Sequence, residues 1–406
     1  MNLQELYAER IGGINYGRTG QVFKFTLIEE AKRAFMKSHP EVRIVDMGVG
    51  EPEERAADSI ARSLYEAALR KENRVYPNNG GSAFKEAAAR YLRRLIGVDL
   101  DPEKEIVHCT GTKSALSQLP FAFLNPGESI IATVPGYPVL PKVVQWLGGK
   151  VISLKLEPAK SYLPDLEELE EAARREKPKF LLLNYPNNPT GALATAGFYR
   201  RVIELAHRYS FLIVQDAAYA DYVFEGEFVS PLQLDGGREC TIELYSLSKG
   251  YNMQGYRIGF VVSNPALLSA YALVKDNLDN GQFLAVQEAA VEALDRSQGF
   301  LRDNQAKYRR RLEKTAQILN EAGIPASASA GTFYLYIQVP GKFRGKDFHS
   351  AQSFCDYLIS EFGIVSVPWE EAGACLRLSM TFEVGTPDFA SEDDVFAELR
   401  RRLCSQ

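Results

Sequence analysis

The sequence predicts an α/β protein: a mostly parallel sheet covered by helices on both faces, followed by a smaller α+β layer. Three observations carry this. Short apolar runs alternate with amphipathic stretches through the middle of the chain, the pattern of strands joined by crossover helices. The last third changes to long helices and alternating strands. The length of 406 residues is enough for a large core and for two domains.

The elements follow in order. Gly111-Thr112-Lys113-Ser114 opens a helical stretch over Ala115 to Phe123. Buried strands are expected at Ile130 to Val134, Val151 to Leu154, Phe180 to Leu183, Phe211 to Val214, Thr241 to Tyr245 and Ile258 to Val262. Helical patterns lie between several of them, at Asp165 to Arg175 and Phe198 to Arg208. Asn264-Pro265 reads as a helix start with proline at the first helical position, and that helix runs through Val274. Another covers about Phe283 to Leu294, and a long amphipathic one spans Phe300 to Ala322. Thr332 to Val339 alternates with Phe333, Leu335 and Ile337 on one side, and Ala374 to Thr381 alternates as well. Glu392 to Leu403 is the final helix. The expected division is an N-terminal arm with part of the small domain over 1–45, a large domain over 46–295, and a small C-terminal domain over 296–406.

Composition narrows the function classes. A net charge of −5 points neither to nucleic acid nor to an anionic membrane surface. No apolar run reaches the length of a membrane span, and the first residues, Met1 to Leu6, lack a basic start and an apolar signal core, so the cytoplasm is the default expectation. Five irregularly spaced cysteines suggest neither a disulfide framework nor a zinc site, and four scattered histidines make no metal centre.

The chemistry is concentrated around Lys249, in Ser246-Leu247-Ser248-Lys249 after a strand. Asp216 lies two residues past the run Phe211 to Val214, so its carboxylate is expected at the carboxyl edge of the sheet, where open α/β sheets bind ligands. An aldehyde-accepting lysine, a buried acid and a Ser/Ser/Arg phosphate set are what pyridoxal phosphate (PLP) chemistry requires. Lys249 would carry the aldehyde as a Schiff base and later act as general base, provided desolvation and nearby cations lower its pKa. Asp216 would pair with the pyridine nitrogen, and Tyr219 and Asn188 would bond the ring hydroxyl. Ser246, Ser248 and Arg257 would hold the phosphate, with the helix start at Thr112 and the charge of Lys113. Tyr137, in Pro135-Gly136-Tyr137-Pro138, would stack on the ring. Arg377, in Leu376-Arg377-Leu378-Ser379, would clamp a carboxylate. Taken singly, each has an ordinary alternative: Asp216 as a turn or cap residue, Lys249 as a solvated lysine, the Gly-Thr pair as a plain cap, Tyr137 as a turn tyrosine, Arg377 as an outward strand residue.

In order, Gly48-Val49-Gly50-Glu51-Pro52, Tyr76 with Gly80-Gly81, Gly111-Thr112-Lys113, Tyr137, Asn188-Pro189-Thr190-Gly191, Asp216 with Tyr219, Ser246-x-Ser248-Lys249, Arg257 and Arg377 resemble the class I/II aminotransferases of PLP fold type I over nearly the whole chain. The resemblance implies a seven-stranded, mostly parallel large domain, a small domain, and a homodimer with shared active sites. It also implies that Tyr76 reaches the neighbouring subunit's phosphate, that the arm around Asn15-Tyr16 lies near that site, and that Gly50 and Asn188 border the substrate. Within the class, Tyr16, Lys113 and the run Asp276 to Phe283 look most like the LL-diaminopimelate aminotransferases, where Asn280 matches a substrate contact. That family interconverts LL-2,6-diaminopimelate and 2-oxoglutarate with tetrahydrodipicolinate and glutamate, in lysine and cell-wall synthesis.

Two departures stand out. Better-known members carry an acid in a Tyr-x-x-Glu-x-Gly motif that helps hold the distal ammonium; here Asn79 takes that place. The loop before the carboxylate arginine is short, Pro368 to Gly373, and Glu370 or Glu371 is a candidate replacement for the missing charge, set against plain solvent exposure. The rival readings are an aminotransferase for aromatic, methionine-like or alanine-type substrates, which Trp369 would suit, and a carbon–sulfur β-lyase. A regulatory PLP-fold module is the third, and no basic N-terminal domain supports it.

Overall fold

The computed structural model describes residues 1–18 and 24–404. Its centre is a sheet of seven strands: β1 Ile106–Cys109, β2 Ser129–Val134, β3 Lys150–Lys155, β4 Phe180–Asn184, β5 Leu212–Asp216, β6 Thr241–Ser246 and β7 Gly259–Val262. The spatial order is β1-β7-β6-β5-β4-β2-β3. Pairings from β3 through β6 are parallel, and β7 is antiparallel to both its neighbours. Every residue of β4 is buried, as a strand covered on both faces requires.

Helix signals act as the sequence predicts. Asp165 caps Leu166–Glu176 by accepting the Glu167 and Glu168 amides at 2.9 and 3.0 Å. Asn264 caps Pro265–Leu278, which runs four residues beyond its expected end at Val274. Strand β1, Ile106–Cys109, escapes an apolar-run search because His108 interrupts it and it has only four residues. The strand expected to stop at Val214 continues to Asp216, so the acid is the last strand residue rather than two beyond it.

Register decides where the chemistry sits. Asn184 is opposite Asp216, and Asp216 is opposite Leu244. β4 and β5 therefore end level and β6 runs two residues further to Ser246, so the segments bearing Asn188, Asp216 and Lys249 leave the sheet at one edge.

A second apolar core lies around the strands Tyr334–Gln338, Val367–Trp369 and Cys375–Ser379, which form an antiparallel sheet, and the helices Gln298–Glu321, Ala351–Phe362 and Glu392–Cys404. Val45 and Met47 pack into this core, and Val45–Asp46 pairs with Ile364–Val365. Buried Arg311 ties the long helix to its surroundings: it bonds Glu392 at 2.7 Å, Glu53 at 3.0 Å, and the Met380 and Phe382 carbonyls. Among the described residues no helix is long and apolar enough to cross a membrane, and no His/Cys/Asp/Glu group is placed to hold a metal.

Candidate active site

Asp216 is 4% exposed, and its carboxylate accepts the Ala218 amide at 3.2 Å. Burial pushes it up to about 7, with Ala218 and Lys249 holding it back. A buried carboxyl in that state suits a cationic ring N–H as its partner. Asn184, opposite it in the sheet, donates to the Asp216 carbonyl at 2.8 Å and accepts the Asn188 amide at 2.9 Å, which locks the Asn188 turn to the same edge.

Lys249 lies in the short helix Leu247–Gly250, capped by Ser246, whose hydroxyl accepts the Ser248 amide at 3.1 Å. Its amine donates to the Gly50 carbonyl at 2.6 Å, and its own carbonyl accepts the Tyr222 hydroxyl at 2.8 Å. Desolvation lowers the ammonium to about 8; Glu51 and Asp216 oppose this, and Arg377 and Arg257 add to it. A lysine in that range is neutral often enough to serve as a base.

At one end of this edge, Arg257 packs on Gly111, the residue before helix Thr112–Phe123. A Cβ on Gly111 would fall 2.5 Å from the guanidinium, and Gly111 has φ +80°, so glycine is required twice over. Arg257 itself has φ 56° and holds the Gln254 carbonyl at 2.8 Å. Ser248 and Thr112 are buried, Ser246 is half-buried and Lys113 is exposed. A helix N-terminus, an arginine and hydroxyls together are suited to cradle an anion. Burial raises the Tyr137 phenol, Asp216 raises it further and Arg257 lowers it.

At the other end, Arg377 is 4% exposed. It donates to the Asn188 side chain at 3.1 Å and to the Gly48 carbonyl at 2.9 Å, while its Nε is buried without a hydrogen-bond partner. Its guanidinium lies 4.3 Å from the Tyr334 ring centroid and 5.7 Å from that of Trp369. Tyr219 shares a 2.8 Å hydroxyl contact with Tyr334, and a Cβ on Gly50 would fall 2.2 Å from that same Tyr334 hydroxyl. An incompletely bonded arginine fork beside a glycine strap has the donor geometry that suits a carboxylate.

The structure thus brings together Thr112, Tyr137, Asn188, Asp216, Tyr219, Ser246, Ser248, Lys249, Arg257, Arg377 and Gly50. Lys113 is exposed at the helix start beside them, and four other sequence candidates stand apart within the chain. Tyr76 is 80% exposed, Asn280 is exposed, Tyr16 is exposed with its ring 4.7 Å from Tyr7, and Asn79 donates to Asp276 at 3.3 Å. Both glutamates of the short loop are exposed, and Glu370 accepts the Gln352 amide at 3.0 Å at the start of Ala351–Phe362. That contact is a helix-end role, which favours the solvent-facing reading for Glu370. Sequence reasoning passed over Tyr334 and quoted Glu51 only as part of the Gly48 to Pro52 motif. Tyr334 lay on a recognised strand, on the face opposite the apolar positions Phe333 and Leu335, which was a readable signal.

The family profile described as aminotransferase class I and II matches residues 42–386. An LL-diaminopimelate aminotransferase of Methanocaldococcus jannaschii is 44% identical over 99% of this chain and 97% of its own length. The protein of that name from Aquifex aeolicus is 35% identical over 84% of this chain and 88% of its own. Among solved structures, a single mutant of Thermus thermophilus aspartate aminotransferase superimposes with a TM-score of 0.84 at 25% identity, covering 97% of this chain and 98% of that one. A probable N-succinyldiaminopimelate aminotransferase, also of Thermus thermophilus, gives a TM-score of 0.82 at 28% identity, over 93% and 98%. The chain therefore belongs to the class I and II aminotransferases, a PLP-dependent family, and is a transaminase acting on amino and oxo acids.

Proposed function

We propose that this enzyme transfers an amino group between LL-2,6-diaminopimelate and 2-oxoglutarate, giving tetrahydrodipicolinate and glutamate, with PLP as cofactor. The observation that carries the substrate is the 44% identity, along 99% of the chain, to the Methanocaldococcus jannaschii protein of that name. The site's geometry carries the cofactor. Asp216, raised by burial, fits a protonated ring nitrogen; the Gly111–Thr112 helix start with Arg257, Ser246 and Ser248 fits a phosphate; Tyr137 fits a ring face. PLP, when bound, supplies an aldehyde for the amine and an electron sink.

The chain's own groups do the rest. Lys249 holds the cofactor and moves the proton of the substrate α-carbon. Arg377 and Asn188 take the α-carboxylate, and the Gly48–Gly50 strap leaves room for it. We infer the large domain to be 46–295, with 1–45 and 296–406 forming the arm and the small domain. The working unit is a homodimer. Exposed Tyr65, Leu69, Val75, Tyr76, Leu273 and Phe283 are apolar groups that a second copy would cover, with Tyr76, Tyr16 and Asn280 then facing the neighbour's site.

The test is a half-reaction with the PLP-loaded enzyme. Adding LL-diaminopimelate without oxo acid should bleach the cofactor absorption band stoichiometrically. Bleaching by glutamate or an apolar amino acid alone would discard this substrate.

A further inference from the structure

We propose that Asp276 binds the distal ammonium of the diamino substrate, presented to the neighbouring subunit's active site together with Asn79. This inference rests on the diaminopimelate reading above and on the shared dimer site.

Position 79 carries an amide, so a cationic group there needs a carboxylate from elsewhere. The structure supplies one at hydrogen-bond distance: Asn79 Nδ2 donates to Asp276 Oδ2 at 3.3 Å. The amide orients one carboxylate oxygen and leaves the other lone pairs for a ligand. Asp276 is exposed in the last turn of Pro265–Leu278. A carboxylate there meets the negative end of the helix dipole, so helix stability does not explain it.

The neighbouring acid is already committed. Asp279 accepts the Lys275 amine at 2.6 Å, the Gly281 amide at 2.9 Å and the Gln118 amide group at 3.0 Å. Lys275 and Asp279 offset each other, which leaves Asp276 as the unbalanced charge on this turn.

The same contacts make the turn a rigid platform. Lys275, 0% exposed, also donates to the Asn78 carbonyl at 2.9 Å. Gly281 has φ +83°, and a Cβ there would fall 2.5 Å from that carbonyl oxygen, so the segments around Asn79 and Asn280 pack against each other with no room for a side chain. Gln118 extends the platform to helix Thr112–Phe123, whose N-terminus is the anion cradle. Exposed Tyr76, Leu278 and Phe283 lie on these same two segments, as expected of a face that another copy covers. Glu370 is the weaker candidate for the same role, since it is bonded to the start of a helix.

The experiment compares two donors on the full-length holoenzyme. Asp276→Asn should raise KM for LL-diaminopimelate about 10–100-fold, the size of a charge-assisted bond, and leave the glutamate half-reaction unchanged. Glutamate has no distal ammonium. Moving the charge back, with Asn79→Asp added to Asp276→Asn, should recover most of the lost diaminopimelate activity, which a framework role would not do. If the wild type turns over diaminopimelate and Asp276→Asn leaves its KM unchanged, or weakens both donors equally, the assignment falls while the substrate reading stands. A wild type that accepts glutamate but no diaminopimelate overturns both.

Discussion

Lys249 and Gly50 are 199 positions apart in sequence, yet the lysine amine meets the glycine carbonyl at 2.6 Å. The strap around Gly50 is held at three neighbouring carbonyls: Gly48 by Arg377 at 2.9 Å, Val49 by Thr381 at 2.6 Å, and Gly50 by Lys249. The base that leaves the large sheet and the arginine on the smaller one are thus read against a single backbone segment.

Lys249→Ala should abolish turnover, because the cofactor anchor and the base are lost together. The expected fall in kcat is at least about 10⁴-fold, and the cofactor absorption band should not form. Appreciable residual transamination would remove Lys249 from the mechanism.

Arg377→Lys should raise KM for every α-amino acid substrate by about 10–100-fold, with a smaller effect on kcat. A lysine keeps the charge but not the fork that meets Asn188 and Gly48, nor the flat face over Tyr334. Steady-state kinetics with two donors checks this; a change confined to one donor would place the arginine at the substrate's far end instead.

Gly50→Ala should cost about 1–3 kcal/mol and most of the activity, since the new methyl falls 2.2 Å from the Tyr334 hydroxyl. Adding Tyr334→Phe removes the clashing oxygen and should restore part of the loss. Equal defects in the single and double variants would mean that the glycine serves another purpose.

The Asp216 carboxyl in the cofactor-free protein lies near 7, against an ordinary 3.8. The folded state therefore holds this proton more tightly than the unfolded state. The stability it contributes is complete below pH 3.8 and disappears as pH rises through 7. Cofactor-free Asp216→Asn should accordingly be more stable than wild type at pH 8, by up to roughly 4 kcal/mol, and should gain nothing of that kind near pH 4. Denaturant melts at the two pH values test it, and a pH-independent difference would contradict the burial argument. The same variant should be nearly inactive.

Arg311→Met should destabilise the protein by about 3–5 kcal/mol, because it leaves Glu53 and Glu392 without their buried guanidinium. The arginine also serves the Met380 and Phe382 carbonyls, so equilibrium unfolding should show the loss even where activity persists. Stability equal to wild type would show that Lys307 and Tyr308, which also bond Glu53, suffice.

Much of this enzyme could be read directly from its sequence. Apolar runs such as Phe180 to Leu183 can be satisfied only between two covering layers, and Asp165, Asn264 and Pro265 mark helix starts through local hydrogen bonding. The order of Lys249, Asp216, Arg257 and Arg377 carried the chemistry because each residue type has few substitutes in its task. The tertiary structure alone decided what depends on distant partners. Ile106–Cys109 becomes a strand because β7 offers it a ladder, not because four residues around a histidine demand one. Glu370 looked available from its position and is engaged by a helix end formed nearly twenty residues earlier. Asp276 entered the sequence reading only as the first residue of the run Asp276 to Phe283, and only packing places it on Asn79, 197 positions upstream. Periodicity and capping act over a few residues and are written locally; which carboxylate meets which amide depends on how whole elements stack.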